Sequence, residues 1–404
     1  MPHFYAKKLD SITFPQQGKH FKFLLEARNL RDNSILILAE SLQNNQQKIM
    51  LNKHKKNGKF LVKFNKHYKV HSKELIKSAL KEYATLTNAE IISHNLNANK
   101  SNVDARFLLD FHQILEVLSN KNAMLEIGFG SGRHILNLAK SNPQSIIIGL
   151  EIYRPAILQV LRQIELLNLS NLFIANIDAR ILCEILPSDI FSRIFLHFPV
   201  PWDKNPQRRV FSKQFLENVI RILNKDGFFE LVTDSKEYFD FARHLAKNYQ
   251  CKVEINAENA VVSKYEARWK KHKKDIYKLQ IFPKNSIRGI FHTRKKSDFK
   301  ADLSQEFDEI LKQWQLFFDI NFVKNILQIQ ANKICKEEYF LHIKSVYEFD
   351  SGFVVFIAFG AYYAPSSAYF MITENGVKNL SDIIYASANI AAMKLLMEDF
   401  RLDN

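Results

Sequence analysis

A chain of 404 residues with 47% hydrophobic content is long enough for two or three domains with true cores, which excludes disorder as the default state. Three cysteines, Cys183, Cys251 and Cys335, lie far apart with no Cys-x-x-Cys spacing, so neither a disulfide framework nor a zinc site is indicated and a reducing, cytoplasmic compartment is expected. The net charge of +15 points to a polyanionic partner, and the opening segment MPHFYAKKLDSITF lacks the apolar core of a secretory signal.

In chain order, residues 1–103 are predicted to form a β-rich basic unit. Phe21 to Glu26, Ser34 to Glu40, Gln47 to Leu51 and Phe60 to Lys66 have strand-like apolar content, separated by turn-prone Arg31-Asp32-Asn33, Gln43-Asn44-Asn45 and Lys56-Asn57-Gly58. A helix is predicted from Lys73 to about Leu86 with Ser72 as its cap, followed by a polar linker from Ser93 to Val103. Lys48 to Lys77 holds ten basic residues against Glu74 alone.

From Asp104 the pattern changes. Helices are predicted at Phe107 to Leu118, Ile135 to Lys140, Arg154 to Leu167 and Ser212 to Leu223. Strands are predicted at Met124 to Ile127, Ile146 to Glu151, Leu172 to Asn176, Arg193 to Phe198 and Phe228 to Thr233. Strands alternating with helices of this length build a mostly parallel, doubly wound α/β sheet over residues 104–284.

Residues 285–404 are predicted to form an α+β unit. It carries a helix at Leu303 to Gln328, strands within Tyr339 to Thr373 and a helix at Ser381 to Leu402. The uncharged run Phe353 to Ile372 contains Gly360, Pro365, Ser366 and Ser367, so two buried strands around a turn are expected there rather than a membrane span. Charge is segregated: Val261 to Lys300 holds thirteen basic residues against three acids, whereas Ala301 to Asn404 is net acidic by six. Basic blocks of this kind suit a nucleic acid backbone, although Lys-rich faces are also often only solvated.

The sharpest chemical signal is Leu125-Glu126-Ile127-Gly128-Phe129-Gly130-Ser131-Gly132-Arg133, between an apolar strand and a helix. Glycines there allow a tight turn and close backbone approach to a ligand. The acid at Glu126 would repel a pyrophosphate, which disfavours a dinucleotide, and would attract the ammonium and sulfonium of S-adenosylmethionine. Glu151 ends the next strand where a ribose-binding acid belongs, and Asp178 follows the third strand, placed to accept from an adenine amino group. Strand-end acids also serve as helix N-caps, and that reading stands beside the functional one.

These residues, with Gly149-Leu150-Glu151, Arg154-Pro155, Leu169-Ser170-Asn171-Leu172, His197-Phe198-Pro199-Val200-Pro201-Trp202, Arg208-Arg209 and Thr233-Asp234, resemble the bacterial tRNA (guanine-N7)-methyltransferases, class I S-adenosylmethionine-dependent enzymes with a Rossmann-like sheet. The resemblance covers Asp104 to Phe282. It implies methyl transfer to a tRNA guanine, commonly position 46 of the variable loop. It also implies that Glu126, Gly128, Gly130, Glu151 and Asp178 bind the cofactor, and that Lys204, Asp234, Ser263 and Glu266 bind the target nucleotide. Two features depart from the family pattern. Val200 stands where an aspartate implicated in catalysis is usual, with Asp203 the nearby carboxylate, and the segment between Trp202 and Arg208 is shorter than in many relatives. The catalytic group therefore stays open at this level. So do a methyltransferase acting on another substrate and a catalytically silent RNA-binding protein on the same fold.

Overall fold

The structure, a computed structural model, describes residues 1–43, 46–68, 73–97, 105–118, 122–256, 275–283, 298–317, 333–336, 338–362, 364–381 and 383–399. The first part of the chain forms β1 (His3–Ala6), β2 (Gln16–Gln17), β3 (Phe21–Asn29), β4 (Ile35–Ser41), β5 (Lys48–Lys56), β6 (Lys59–Phe64), α1 (Lys73–Leu86) and β7 (Ile91–His94). The middle follows with α2 (Phe111–Val117), β8 (Ala123–Ile127), α3 (Arg133–Ser141), β9 (Ile146–Leu150), α4 (Arg154–Leu166), β10 (Leu172–Ala175) and α5 (Ala179–Ile185). It continues through β11 (Phe191–His197), α6 (Lys213–Ile222), β12 (Leu223–Thr233), α7 (Lys236–Leu245), β13 (Gln250–Ile255) and β14 (Tyr277–Phe282). The last part contains α8 (Asp298–Phe317), β15 (Lys333–Cys335), β16 (Tyr339–Phe349), β17 (Gly352–Ala361), β18 (Ser366–Thr373), β19 (Gly376–Asn379) and α9 (Ser387–Asp399).

The chain divides into two compact units, one of Met1–Lys100 with Leu303–Asn404 and one of Ser101–Asp302. The sequence predicts separate N- and C-terminal units at 1–103 and 285–404. The structure instead joins them in a single twelve-stranded antiparallel sheet, ordered β19-β18-β17-β16-β3-β4-β5-β6-β1-β7 with β15 on β16 and β2 on β3. The seam is the pairing of Tyr347 with Asn29 and Glu348 with Arg28. The uncharged run becomes the β17–β18 hairpin, its strands paired from Gly352–Thr373 to Phe359–Ser366. Among the described residues no helix is long and apolar enough to cross a membrane.

The middle unit is a seven-stranded mixed sheet, β10-β9-β8-β11-β12-β14-β13. Its first five strands are parallel, and β14 runs antiparallel to both β12 and β13. Ile146, Ile147, Ile148 and Leu150 are all buried, as expected of a strand covered on both faces by helices. Local caps set the helix starts: Asp110 and Gln113 form a capping box on α2, and the hydroxyls of Ser212 and Ser235 accept from Phe215 N and Tyr238 N. Buried Arg221 donates to the carbonyls of Cys183, Glu184 and Leu186, satisfying the last turn of α5. Asn171 does the same for α3, its amide donating to Ala139 O, Asn142 O and Ser145 O. Burial among apolar neighbours pushes the Cys183 thiol up to about 12, so it is a packed core residue rather than a reactive one.

Candidate active site at the carboxyl ends of the parallel strands

The strand order reverses between β9-β8 and β11-β12, so the chain leaves adjacent strands β8 and β11 in opposite directions. In open α/β sheets the crevice at such a reversal is where ligands bind. One side of it is built from the ends of β8, β9 and β10, kept level by Gly128 N donating to Leu150 O at 2.8 Å and Glu151 N to Ala175 O at 3.2 Å.

Gly128, Gly130 and Gly132 take φ of +70°, +51° and +79°, the left-handed region that side chains disfavour. A Cβ at Gly128 would meet nothing within 4 Å and one at Gly130 only a carbonyl at 3.9 Å, so the turn presents bare backbone to an open space. Glu151 holds that turn. Its Oε2 accepts from Gly130 N at 3.0 Å, and Oε1 accepts from Ile152 N and Tyr153 N at 2.8 and 2.9 Å. Asp178 caps α5, accepting from Arg180 N at 2.9 Å, and is gripped by the Arg180 guanidinium at 3.0 and 2.7 Å. Capping and ligand binding are thus both open to this carboxylate, which has lone pairs left beyond Arg180.

Glu126, which the sequence assigns to the cofactor, lies within β8 rather than beyond its end. It is 2% exposed, and its Oε2 accepts from Nδ1 of His134 on α3 at 2.8 Å. The sequence alone does not single out His134. Its partner in chemistry, His197 at the end of β11, is bonded through Nε2 to Glu230 at 3.0 Å, and the two imidazole centroids lie 4.5 Å apart. Glu230 also accepts from Gln280 at 2.8 Å and pairs with Lys278 at 3.3 Å. Burial alone would raise its pKa, but the hydrogen bonds from His197 and Gln280 and the Lys278 charge override it, holding the carboxyl at about 2.

The other side of the crevice is the loop after β11. Phe198 and Trp202 both sit at positive φ, +49° and +48°, which costs an L side chain on the order of 1–2 kcal/mol each. Phe198 N anchors the loop to Val232 O at 2.7 Å. The paired arginines clamp the rest: Arg209 Nε donates to Pro201 O at 2.7 Å while its guanidinium lies 5.1 and 5.0 Å from the Tyr238 and Phe241 rings, and Arg208 stacks over Trp202 at 5.2 Å. Val200, at the position of the family aspartate, is 61% exposed. Asp203 is occupied in a 3.4 Å pair with Arg209, and Lys204 is exposed in the turn that follows. Asp234 follows β12 directly and is half-buried; the helix cap there is Ser235 rather than Asp234. Ser263, Glu266 and the basic run through Lys274 lie outside the described residues. Among the described residues no cluster of His, Cys, Asp or Glu could hold a metal ion.

A bare glycine turn and carboxylates at successive strand ends fit a ligand that combines a ribose diol with positive charge, as S-adenosylmethionine does, better than they fit a pyrophosphate. Fold and site together define a Rossmann-like methyltransferase, and a family model described as "Putative methyltransferase" matches residues 120–279. Among curated proteins, the tRNA (guanine-N(7)-)-methyltransferase of Helicobacter pylori strain J99 is 37% identical over 406 residues, covering 99% of this chain and 96% of the relative. That of Campylobacter jejuni strain 81-176 is 34% identical, covering 98% of each. The chain belongs to the tRNA (guanine-N(7)-)-methyltransferase family. Solved structures with some likeness include a 16S rRNA methyltransferase, KamB, at 11% identity and a TM-score of 0.35, covering 44% of this chain and 95% of that one. An antibiotic-related methyltransferase aligns at 22% identity and a TM-score of 0.33, over 43% and 93%.

Proposed function

We propose that the chain transfers the methyl group of S-adenosylmethionine to N7 of a guanine in tRNA, at position 46 of the variable loop, in the cytoplasm. The observation that carries this is the meeting, on neighbouring strands β8 and β11, of a glycine turn tied to Glu151 and a rigid arginine-clamped loop. When bound, S-adenosylmethionine supplies a methyl group activated by a cationic sulfur.

The chain's own residues then have separable tasks. Gly128 and Gly130 give backbone access to the cofactor. Glu151 has remaining lone pairs for the ribose hydroxyls, and Asp178 accepts from the adenine amino group. Glu126 contributes negative charge beneath the turn. Asp234 accepts two hydrogen bonds from the Watson–Crick edge of guanine, where no other base presents two adjacent donors. Lys204 supplies a point charge for phosphate or O6. Ser263 and Glu266 extend the nucleotide site, and the basic residues Arg268, Lys270, Lys271, Lys273 and Lys274 hold the tRNA backbone.

Val200 is compatible with this chemistry. Guanine N7 carries an in-plane lone pair and no proton, so no general base is required of position 200. Orientation alone can supply on the order of 7–11 kcal/mol of the barrier, which places the demand on loop rigidity rather than on an added carboxylate. Incubating the protein with methyl-tritiated S-adenosylmethionine and unmodified tRNA, then cleaving at N7-methylguanine, tests the proposal. Label mapping to a variable-loop guanine is the expected outcome; label at another base, or none in RNA, would refute it.

A further inference from the structure

The two halves of the crevice are each rooted on a histidine, and the histidines touch. Phe195 stands opposite Glu126 on one side and Glu230 on the other, so these three side chains lie on one face of the sheet in a row across β8, β11 and β12. His197, two residues on in β11, shares that face. His134 reaches it from the first turn of α3, immediately after Gly132 and Arg133. The result is a continuous chain of contacts: Glu126 to His134 at 2.8 Å, His134 to His197 at 4.5 Å between ring centroids, His197 to Glu230 at 3.0 Å. Phe195 packs against both imidazoles, at 5.0 and 5.6 Å.

An ionised carboxylate only accepts, so the ring nitrogen facing it carries the proton: Nδ1 in His134 and Nε2 in His197. Each imidazole orientation is thereby fixed by a buried acid, Glu126 at 2% and Glu230 at 7% exposure. Glu230 is in turn held by Gln280 and Lys278. His134 follows the glycine turn by two residues, and His197 precedes Phe198, the first residue of the clamped loop. A fixed contact between the rings therefore fixes the spacing between the turn and the loop.

We propose that His197 and His134 are positioning residues for methyl transfer, their acid-anchored contact setting the register of the Phe198–Trp202 loop against the glycine turn. This rests on the proposed function, but only for its kinetic consequence.

The test uses the full chain with His134→Phe, His197→Phe, the double variant, and His197→Gln, which keeps an N–H donor toward Glu230. Two readouts are taken. The indole N–H resonance of Trp202, assigned by its loss in Trp202→Phe, reports the loop without any substrate. Steady-state kinetics with tRNA, with calorimetry of S-adenosylmethionine, report the reaction. Both Phe variants are expected to move the Trp202 resonance and to lower kcat on the order of 10- to 100-fold, with cofactor affinity and tRNA KM within about 3-fold of wild type. The double variant is expected to lose no more than the worse single, since both act through one contact. His197→Gln is expected to recover part of the loss. An unmoved Trp202 resonance overturns the proposal, as do multiplying losses in the double variant or a fall confined to cofactor affinity. Should wild-type protein methylate no tRNA, the proposed function fails, and the resonance alone decides whether the histidine pair sets the loop.

Discussion

Arg209→Ala should open the loop after β11 without unfolding the sheet beneath it. Arg209 is 7% exposed and donates to Pro201 O at 2.7 Å from between the Tyr238 and Phe241 rings. A hydrogen bond from a charged donor contributes about 1.5–3 kcal/mol, and a cation over an aromatic face about 0.5–2 kcal/mol, against which the desolvated guanidinium returns part on deletion. A net loss of about 3 kcal/mol is comparable to the combined backbone strain of Phe198 and Trp202, about 2–4 kcal/mol, so the clamp decides whether the strained loop stays closed. Hydrogen exchange reads this directly. Asn205 N–H donates to Trp202 O at 2.8 Å within the loop, whereas Phe198 N–H donates to Val232 O at 2.7 Å on the sheet. Protection at Asn205 should fall about 100-fold while Phe198 keeps its protection, since each 1.4 kcal/mol is about tenfold. Arg209→Lys should fall between, because an ammonium cannot reproduce the planar stacking. Unchanged protection at Asn205, or an equal loss at Phe198, would refute the clamp.

Three further outcomes follow. Glu230 is held at about 2 against an ordinary 4.5, so its ionised form stabilises the fold above pH 4.5, and that contribution, about 3 kcal/mol, is lost as pH falls toward 2. In urea unfolding, Glu230→Gln should therefore be less stable than wild type at pH 7 by a margin that shrinks below pH 4.5; a margin independent of pH would contradict the assignment. Gly132→Ala would force a side chain onto φ +79° and drive its Cβ into Val160 Cγ2, so a thermal-stability loss of about 2–4 kcal/mol with weakened cofactor binding by calorimetry is expected; wild-type values would show that the turn can relax. Asp234→Ala should abolish methylation while S-adenosylmethionine affinity stays within about 3-fold of wild type, an effect confined to the target-nucleotide side. Loss of both would assign Asp234 a structural part instead.

The parallel core was legible because its strands are buried on both faces: the Ile146-Ile147-Ile148 run and the glycine turn after Ile127 need no tertiary information to read. Two edge strands, β7 and β13, were not. Ile91–His94 is exposed throughout, shows no alternation and runs into the predicted linker at Ser93, while Gln250–Ile255 alternates polar and apolar residues but is almost entirely exposed, so no buried face marks either as a strand. The seam between Asn29 and Tyr347 spans most of the chain and leaves no local trace, which is why the terminal segments read as separate units. At the site, Glu151 was visible as a strand-end acid, but the burial of Glu126 was not. Its partner His134 emerges only once strand register places Glu126, Phe195 and Glu230 on one face. Asn171 belonged to a recognisable motif, yet its work is to satisfy three carbonyls from the end of α3 to the start of β9, a role that sequence cannot separate from ligand binding.

The atom expected to be methylated is N7 of one tRNA guanine. Two transcripts of a single tRNA, one with guanine and one with 7-deazaguanine at position 46, differ there only by N7 against a C–H. With labelled S-adenosylmethionine, stoichiometric transfer to the first and none to the second is expected, with similar affinity for both. Equal labelling of the two transcripts would contradict it.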